Sequence, residues 1–476
     1  MNENLVMPSE YLVACHTDNV GVGSTFVAVQ GQKENGCAYI YKALQKGANT
    51  IVVQKNTTIA DDLLDALVHT RARLLYVDNP RAALAQLSAQ ALNYPAKQLR
   101  ILGITGTKGK TTSSFLLGHI LRNAGYRTAL LSTVKNKILD VEFKTNLTTQ
   151  HPDYLHNFFA LCVQAHVDYV VMEVAAQATS LHRVAGLEFD GLIFTNFDKE
   201  HAEFYPNMDD YFAAKVAVLN QLKPGAPLLL NADDARVSQL HEQYRHALKF
   251  GITNTQADYH GVISGNSLEQ LQLEVAVPLH HIFACPSLVG AFNAYNILGV
   301  VGLCLQLGLT AHNIAQGLCT FTSVPGRLER YDLPNGARCF IDYAHNPSSF
   351  IAVLSMMRML TNHLIVVFGA GGARDTTKRP MMGAIAAQFA DIVVITSDNP
   401  RTEDPASIAQ DIIVGIDADK THKIICDLDR ESAIKKAYAA STPTSVIMLL
   451  GKGPDEYQII GDQKFDFSEK EIVKSL

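Results

Sequence analysis

Between Gly103 and Thr112 the chain reads Gly-Ile-Thr-Gly-Thr-Lys-Gly-Lys-Thr-Thr, a pattern of glycines, lysines and hydroxyls suited to phosphate. Glycines let a backbone curl until its N–H groups converge on phosphate oxygens at the positive end of a following helix. Lys110 can then reach the terminal phosphates, and the Thr111 hydroxyl can ligate Mg²⁺. Gly106, Thr107, Gly109 and Thr112 complete the expected phosphate cradle. The spacing departs from strict G-x-x-x-x-G-K-[ST], because position 104 is Ile and the earlier glycine is Gly103. The surroundings supply the missing context. Ile101 to Thr105 is an apolar strand candidate, and Phe115, Leu116, Leu117, Ile120 and Leu121 recur at a helical period just beyond. The pattern predicts binding of a nucleoside triphosphate.

Three more groups could take part in chemistry. Tyr169-Val-Val-Met-Glu173 reads as a buried strand ending in a carboxylate. Burial of that charge is costly unless it is paired or bound to metal, so Glu173 is a natural Mg²⁺ ligand beside a phosphate loop. The next strand leads into Phe197-Asp-Lys-Glu-His201, and then Tyr211-Phe-Ala-Ala-Lys215. His201 and Lys215 could both face the nucleotide, although a bare ammonium at Lys215 would repel Mg²⁺.

The elements around these groups predict an α/β protein of three domains. At 476 residues the chain is too long for one core. Residues 1–97 hold short β-rich runs, such as Ser24 to Val29 and Asn49 to Val53, and Tyr94-Pro95 reads as a linker. Residues 98–326 alternate strands with helical patterns (Tyr169 to Val174, Gly191 to Asn196, Pro227 to Asn231), the rhythm of a parallel-sheet P-loop domain. Pro325-Gly326 punctuates its end. Residues 327–476 repeat the alternation over Cys339 to Tyr343, Leu364 to Phe368, Ile392 to Thr396, Ile424 to Asp427 and Val446 to Leu450. Helical runs over Phe350 to Met359 and Met381 to Phe389 separate these strands. A doubly wound, Rossmann-like domain is expected, with function at the carboxyl ends of its strands.

Composition narrows the class. A net charge of −6 argues against a nucleic-acid partner. Eight scattered cysteines without a C-x-x-C pair fit reduced thiols better than disulfides or a zinc site. The start lacks a basic and apolar leader, and the apolar stretch Ile297 to Leu309 is too short to span a bilayer. A soluble, cytoplasmic, monomeric enzyme acting on small molecules is expected, with no membrane partner.

The segments GITGTKGKTT, VVMEVAAQATSLHR, IFTNFDKEHAEFY and YFAAK resemble the central domain of the Mur ligases. In that family the lysine of the last motif is carboxylated by CO₂. The resemblance therefore implies a CO₂-derived carbamate on Lys215 and two Mg²⁺ ions held by Thr111, Glu173, His201 and Lys215, which removes the electrostatic objection. Phe292-Asn-Ala-Tyr-Asn296, Pro325-Gly-Arg327 and Asp342-Tyr-Ala-His-Asn-Pro347 are similar to the family's nucleotide segments. They imply Asn296 near adenine, Arg327 at phosphate and Asp342 at ribose, with His345 of lower rank. The resemblance also implies that Thr148, Thr149 and Arg183 serve the carboxylate substrate.

VFGAGGARDTTKRP, SDNPRTEDP and LGKGPDEYQ resemble one branch, the UDP-N-acetylmuramoyl-tripeptide synthetases, in the version that adds meso-diaminopimelate. Arg374, Asn399, Arg401, the Gly451 backbone and Asp455 are the implied amino-acid groups. A guanidinium grips a distal carboxylate through two parallel hydrogen bonds. Departures occur at the substrate ends. Ala175, Ala176 and Gln177 replace Ser-Ser-His, Thr17-Asp18 replaces a Ser-Arg pair, Lys108 replaces asparagine, and Pro454-Asp455 replaces His-Glu. Asp18 near a diphosphate would repel it.

The resulting expectation is an ATP-dependent, acyl-phosphate amide ligase joining meso-diaminopimelate to UDP-N-acetylmuramoyl-L-alanyl-D-glutamate in peptidoglycan synthesis. The alternative is a paralogue joining a related amino acid to another carboxylate; folylpoly-γ-glutamate synthesis is a weaker relative. A transporter or switch ATPase is the rival class, in which the P-loop commonly pairs with a strand-terminal Asp rather than Glu173.

Overall fold

The computed structural model describes residues 5–31, 34–198, 204–277 and 280–476. Its elements alternate as the sequence predicts, and packing divides the chain into two compact units. The first comprises Met1–Val262, Val275–Ile282 and Tyr295–Leu318; the second comprises Ile263–Glu274, Phe283–Ala294 and Cys319–Leu476.

The first unit opens with strands β1 (Tyr11–Ala14), β2 (Val20–Val27), β3 (Thr50–Gln54) and β4 (Arg73–Val77), with helices α1 (Ile40–Gln45), α2 (Asp61–Thr70) and α3 (Pro80–Ala91) between and after them. The four strands pair in parallel in that order. Asn79 caps α3 by accepting from the backbone N–H groups of Arg81 and Ala82.

The expected Tyr94-Pro95 linker is a tight turn. Asn93 and Tyr94 both occupy the left-handed region (φ 56° and 53°), and Pro95 is buried. Asp153 accepts a hydrogen bond from the Cys15 backbone at 3.0 Å, and Asn79 Nδ2 meets His182 Nε2 at 3.0 Å. These bonds, with Leu5 in the same core as Leu99 and Phe159, fuse residues 1–97 to the large sheet that begins after the turn.

The phosphate loop joins β5 (Arg100–Thr105) to α4 (Lys110–Asn123). Then come β6 (Thr128–Leu131), β7 (Asn136–Ile138), β8 (Val141–Phe143), α5 (Pro152–Gln164), β9 (Tyr169–Glu173), α6 (Ala176–Ser180), β10 (Gly191–Phe194) and α7 (Met208–Val216). Strands β11 (Leu228–Asn231), β12 (Leu248–Gly251), β13 (Tyr259–Asn266), β14 (Leu271–Val277) and β15 (His280–Ala284) precede α8 (Phe292–Gln306) and α9 (Ala311–Thr320). The sheet order is β15-β14-β13-β12-β11-β10-β5-β9-β6-β7-β8. From β12 to β6 every pairing is parallel, which seats β5 between β9 and β10. The loops after these three strands therefore lie side by side. Strands β9 and β10 are buried along their whole length, which explains their unbroken apolar sequence. Among the described residues no helix is long and apolar enough to cross a membrane.

The second unit contains β16 (Glu329–Asp332), β17 (Arg338–Asp342), α10 (Pro347–Leu360), β18 (Leu364–Phe368), α11 (Lys378–Phe389), β19 (Ile392–Ile395), α12 (Pro405–Ile413), β20 (Ile424–Cys426), α13 (Arg430–Ala439) and β21 (Val446–Leu450). The hairpin β22 (Tyr457–Ile460) and β23 (Gln463–Asp466) and helix α14 (Glu469–Lys474) end the chain. The main sheet runs β16-β17-β21-β18-β19-β20, parallel except for β16. Alternate residues of β18 enter opposite cores. Leu364, Val366 and Phe368 meet Phe350 and Met382, while Ile365 and Val367 share a core with Ile434 and Val473. Helices cover both faces, the doubly wound arrangement the sequence implied.

Candidate active site

Two glycines shape the loop. Gly106 (φ +135°) and Gly109 (φ +83°) hold conformations that side chains rarely adopt. A Cβ at Gly106 would meet Thr195 Oγ1 at 2.0 Å, and one at Gly109 would meet Asn296 Oδ1 at 2.2 Å. The end of β10 braces the loop from below. Thr107 N donates to Asn196 O at 2.9 Å, Lys108 N donates to Asn196 Oδ1 at 2.8 Å, and Thr195 Oγ1 donates to Lys108 O at 2.6 Å. No side chain caps α4 at Gly109, so its first N–H groups face the loop, as an anion site requires. Thr112 is buried in the first turn.

Two lysines converge on one oxygen of this loop. Lys110 Nζ donates to Gly106 O and to Thr107 O, both at 2.8 Å. Lys215 Nζ donates to the same Gly106 oxygen at 2.7 Å. Lys215 is almost wholly buried, with its ammonium 4.6 Å from the centroid of the Tyr211 ring. Helix α7 carries it inward and starts at Asn207, whose side chain accepts from Asp209 N and Asp210 N.

Glu173 has no exposed surface. Its Oε1 accepts from Thr133 N at 3.0 Å, and its Oε2 accepts from Thr111 Oγ1 at 3.1 Å and Thr133 Oγ1 at 3.0 Å. Thr111 and Glu173 are thus joined directly, while Lys110 and Lys215 meet at Gly106. His201 lies outside the described residues. Thr133 was not among the expected groups; it follows β6, and a hydroxyl after a strand is too common a signal to single it out.

The residues expected for the carboxylate substrate form a chain of contacts leading away from Glu173. Thr149 Oγ1 donates to Glu173 O at 2.9 Å and accepts from Ala175 N at 3.1 Å. Thr149 O accepts from Arg183 Nη1 at 2.8 Å. The Thr148 hydroxyl lies 3.0 Å from that of Thr133. Arg183 is buried, with its Nε among the described atoms that find no partner. His151 stands nearby; burial, and then the Arg183 charge, hold its imidazole below the usual histidine range. Asp18 is exposed; Lys42 lies 3.8 Å from its carboxylate, and its backbone N–H donates to His16 Nδ1 at 3.3 Å. Ala176 packs with Tyr205 and Tyr211, and Ala175 opens α6 without a side-chain cap.

Asn296 lies on α8 against the phosphate loop, its Oδ1 3.4 Å from the Ser113 hydroxyl. In the second unit Asp342 is buried and accepts from Leu328 N (2.9 Å) and Ala344 N (2.8 Å). Burial pushes its carboxyl up, against the opposing pull of Arg327 and these two N–H groups. The Arg327 guanidinium lies 4.8 Å from the centroid of the Tyr343 ring. His345 is exposed, with Nδ1 2.7 Å from Tyr343 O.

The second unit also gathers the expected amino-acid residues. Strand β18 lies between β21 and β19, so the loops carrying Arg374, Asn399 with Arg401, and Gly451 with Asp455 adjoin. Gly372 N donates to Asn399 O at 2.9 Å, and Arg401 Nη1 donates to Gly372 O at 2.9 Å. Arg374 is exposed at the loop's tip. Asp455 is half-buried, and burial raises its carboxyl above the usual range despite Lys452. Three supporting charges escaped sequence reasoning. Arg379 Nη2 donates to Gly371 O (3.2 Å) and Glu403 Oε2 (2.8 Å). Arg430 donates to Ser397 O (3.2 Å) and Leu450 O (2.9 Å) and pairs with buried Glu469 at 2.7 Å. Lys452, although part of the glycine-lysine-glycine motif, gave no sign of being buried. All eight cysteines are free.

A phosphate loop backed by a strand-terminal carboxylate, together with an acceptor-type Rossmann unit, defines an ATP-dependent, ADP-forming ligase of acids and amino acids. Family models agree along the chain: the Mur ligase middle domain matches residues 104–304, the Mur ligase glutamate ligase domain 326–453, and the Mur ligase family catalytic domain 11–91. The chain belongs to the Mur ligase family. A protein of Clostridium botulinum named UDP-N-acetylmuramoyl-L-alanyl-D-glutamate–2,6-diaminopimelate ligase is 35% identical, covering 95% of this chain and 92% of its own. A protein of the same name from Syntrophomonas wolfei is 31% identical, covering 98% and 94%. A solved structure bearing that name is 25% identical, with TM-score 0.68, covering 98% and 94%. A MurF ligase of Thermotoga maritima solved with ADP is 19% identical, with TM-score 0.63, covering 94% and 95%.

Proposed function

We propose that this enzyme joins meso-diaminopimelate to UDP-N-acetylmuramoyl-L-alanyl-D-glutamate, using ATP through an acyl phosphate. The observation that carries the reading is the convergence of Asn399, Arg401 and Gly451 on neighbouring strand ends. Arg401 and the Asn399 amide bring donors there for an acceptor with a distal carboxylate, and relatives at 31% and 35% identity bear the corresponding name.

An oxygen of the substrate carboxylate attacks the γ-phosphorus, the bond to the bridging oxygen breaks, and ADP leaves. The amine then adds to the acyl carbon, loses a proton, and phosphate departs through a tetrahedral intermediate. Lys110 leaves its loop carbonyls to follow the transferring phosphoryl group, and the α4 N–H groups hold the neighbouring phosphates. Arg183, with its buried Nε, orients the acid substrate, and Thr148 and Thr149 fix the wall behind it. By resemblance to the family's nucleotide segments, Asn296 of the first unit is assigned to the base, and Arg327 and Asp342 of the second unit are assigned to phosphate and ribose.

The donors around Glu173 fit Mg²⁺. A carboxylate and the Thr111 and Thr133 hydroxyls are hard oxygen ligands, and Mg²⁺ keeps several waters and needs one or two carboxylates. Two such ions, held by Thr111, Glu173, His201 and modified Lys215, would screen the negative charge of the phosphates. For Lys215, the shared Gly106 oxygen supports carbamylation. Two ammoniums there repel one another; the Lys215 ammonium would first give up one proton, and the amine would then bond to CO₂ through its nitrogen with loss of a second, so that a carbamate anion stands beside Lys110 and repulsion becomes attraction.

The Lys42 ammonium, 3.8 Å from the Asp18 carboxylate, weakens its repulsion of a diphosphate. The uncapped Ala175 start of α6 favours the second reading, a different carboxylate substrate. Incubation of the purified protein with ATP, Mg²⁺ and the named pair, with mass detection of the tripeptide product, decides between them. ADP release only with other acids or amines would replace the first reading by the second.

A further inference from the structure

Lys452 is buried to 1% exposure, in a place the reaction does not use directly. Its Nζ donates to Tyr457 O at 2.6 Å and to Asn399 Oδ1 at 3.3 Å, and lies 3.3 Å from Asp398 Oδ1. The rings of Phe467 (5.5 Å) and Tyr457 (6.0 Å) cover it. The same Asn399 Oδ1 accepts from Ile459 N at 2.9 Å.

Two donors thus meet one end of the Asn399 amide, and neither can accept. A backbone N–H and an ammonium only donate, so the oxygen must face them and the NH₂ must face away. On the same turn, Arg401 is anchored through Nη1 to Gly372 O and Asn399 O, which leaves its remaining N–H groups for other partners. Asp398 would oppose this donor surface, but the buried ammonium offsets its charge. A surface of N–H donors backed by a neutralised aspartate grips a distal carboxylate, which an amino acid ending in a bare ammonium lacks.

We propose that Lys452 is a positioning residue for acceptor choice: by orienting Asn399 and offsetting Asp398 it makes the turn selective for an amino acid with a distal carboxylate. This rests on the diaminopimelate reading above. Loss of the ammonium leaves the Asn399 oxygen held by the Ile459 N–H alone and leaves Asp398 to repel the acceptor. The effect falls on one substrate alone.

The test is steady-state kinetics of full-length Lys452→Met and Lys452→Gln with all three substrates. The KM for meso-diaminopimelate should rise roughly tenfold in Lys452→Gln and roughly hundredfold in Lys452→Met, the range of one hydrogen bond to a charged group. The KM for ATP and for the acid substrate should stay within about twofold, since neither meets this turn. An unchanged diaminopimelate KM, or a parallel loss in all three, overturns the proposal. If Lys452→Met does not fold, the Lys452→Gln value decides alone. Failure of the wild-type enzyme to use meso-diaminopimelate would instead sink the acceptor reading.

Discussion

The Lys215 ammonium and the Gly106 carbonyl oxygen lie 2.7 Å apart across 109 positions of sequence. This contact ties the last turn of α7 to the phosphate loop. Lys215→Ala should lower ligation at least roughly a hundredfold, the scale of losing one preorganised charge-stabilising group. Added formate or acetate should restore part of the rate. Full activity without rescue would remove the carbamate role.

Glu173→Gln keeps the shape and keeps an oxygen to accept from Thr133 N. The Thr111 and Thr133 hydroxyls can turn to accept from the new NH₂, so the fold should persist with little change in melting temperature. Titration of activity with Mg²⁺ should show half-saturation shifted upward by about ten- to a hundredfold. An unshifted Mg²⁺ curve would disconnect Glu173 from the metal.

Gly109→Ala adds a methyl group where Asn296 Oδ1 would stand 2.2 Å away, at a φ of +83°. The left-handed conformation alone costs about 1–2 kcal/mol for an L residue, and Asn296 must also move. ATP affinity by calorimetry should fall at least roughly tenfold. Binding of the acid substrate should be unaffected.

Arg401→Lys keeps the charge but loses the planar fork. Because Nη1 is spent on backbone carbonyls, a lysine cannot both anchor the turn and grip a carboxylate. The KM for meso-diaminopimelate should rise about ten- to a hundredfold, with the KM for ATP unchanged.

His156 supplies a pH dependence away from the chemistry. Burial beside Phe159 holds its imidazole down, from 6.5 to about 4. A depressed folded-state value means that the unfolded chain binds the proton more readily. Stability from this site is therefore intact above 6.5 and is lost as pH falls from there toward 4. The loss should approach about 3 kcal/mol. His156→Leu should flatten that part of the urea-unfolding profile, and an equal slope in both proteins would refute the assignment.

The legible parts of this molecule are those whose causes are local. The loop from Gly106 to Thr111 needs glycines and a lysine in consecutive positions, and Glu173 shows itself as a charge ending an apolar strand. Strands such as β9, β10, β18 and β21 were readable because burial on two faces leaves unbroken apolar runs. Thr133 was not readable, since its bond to Glu173 spans 40 positions and its own surroundings are ordinary. Lys452 and Arg430 were hidden for the same reason: their partners come from distant strand ends. The hairpin of β22 and β23 carries too short and polar a pattern to stand out. Tyr94-Pro95 showed itself through its proline, whereas the contacts of Cys15 and Asn79 with Asp153 and His182 come from far along the chain.

The turn at Asn93 and Tyr94 carries a practical lesson. With Cys15 held by Asp153 and Asn79 meeting His182, this region is a seam rather than a joint. A fragment beginning near position 98 would bare the flank of α5 to solvent and would aggregate instead of surviving as a miniature ATPase.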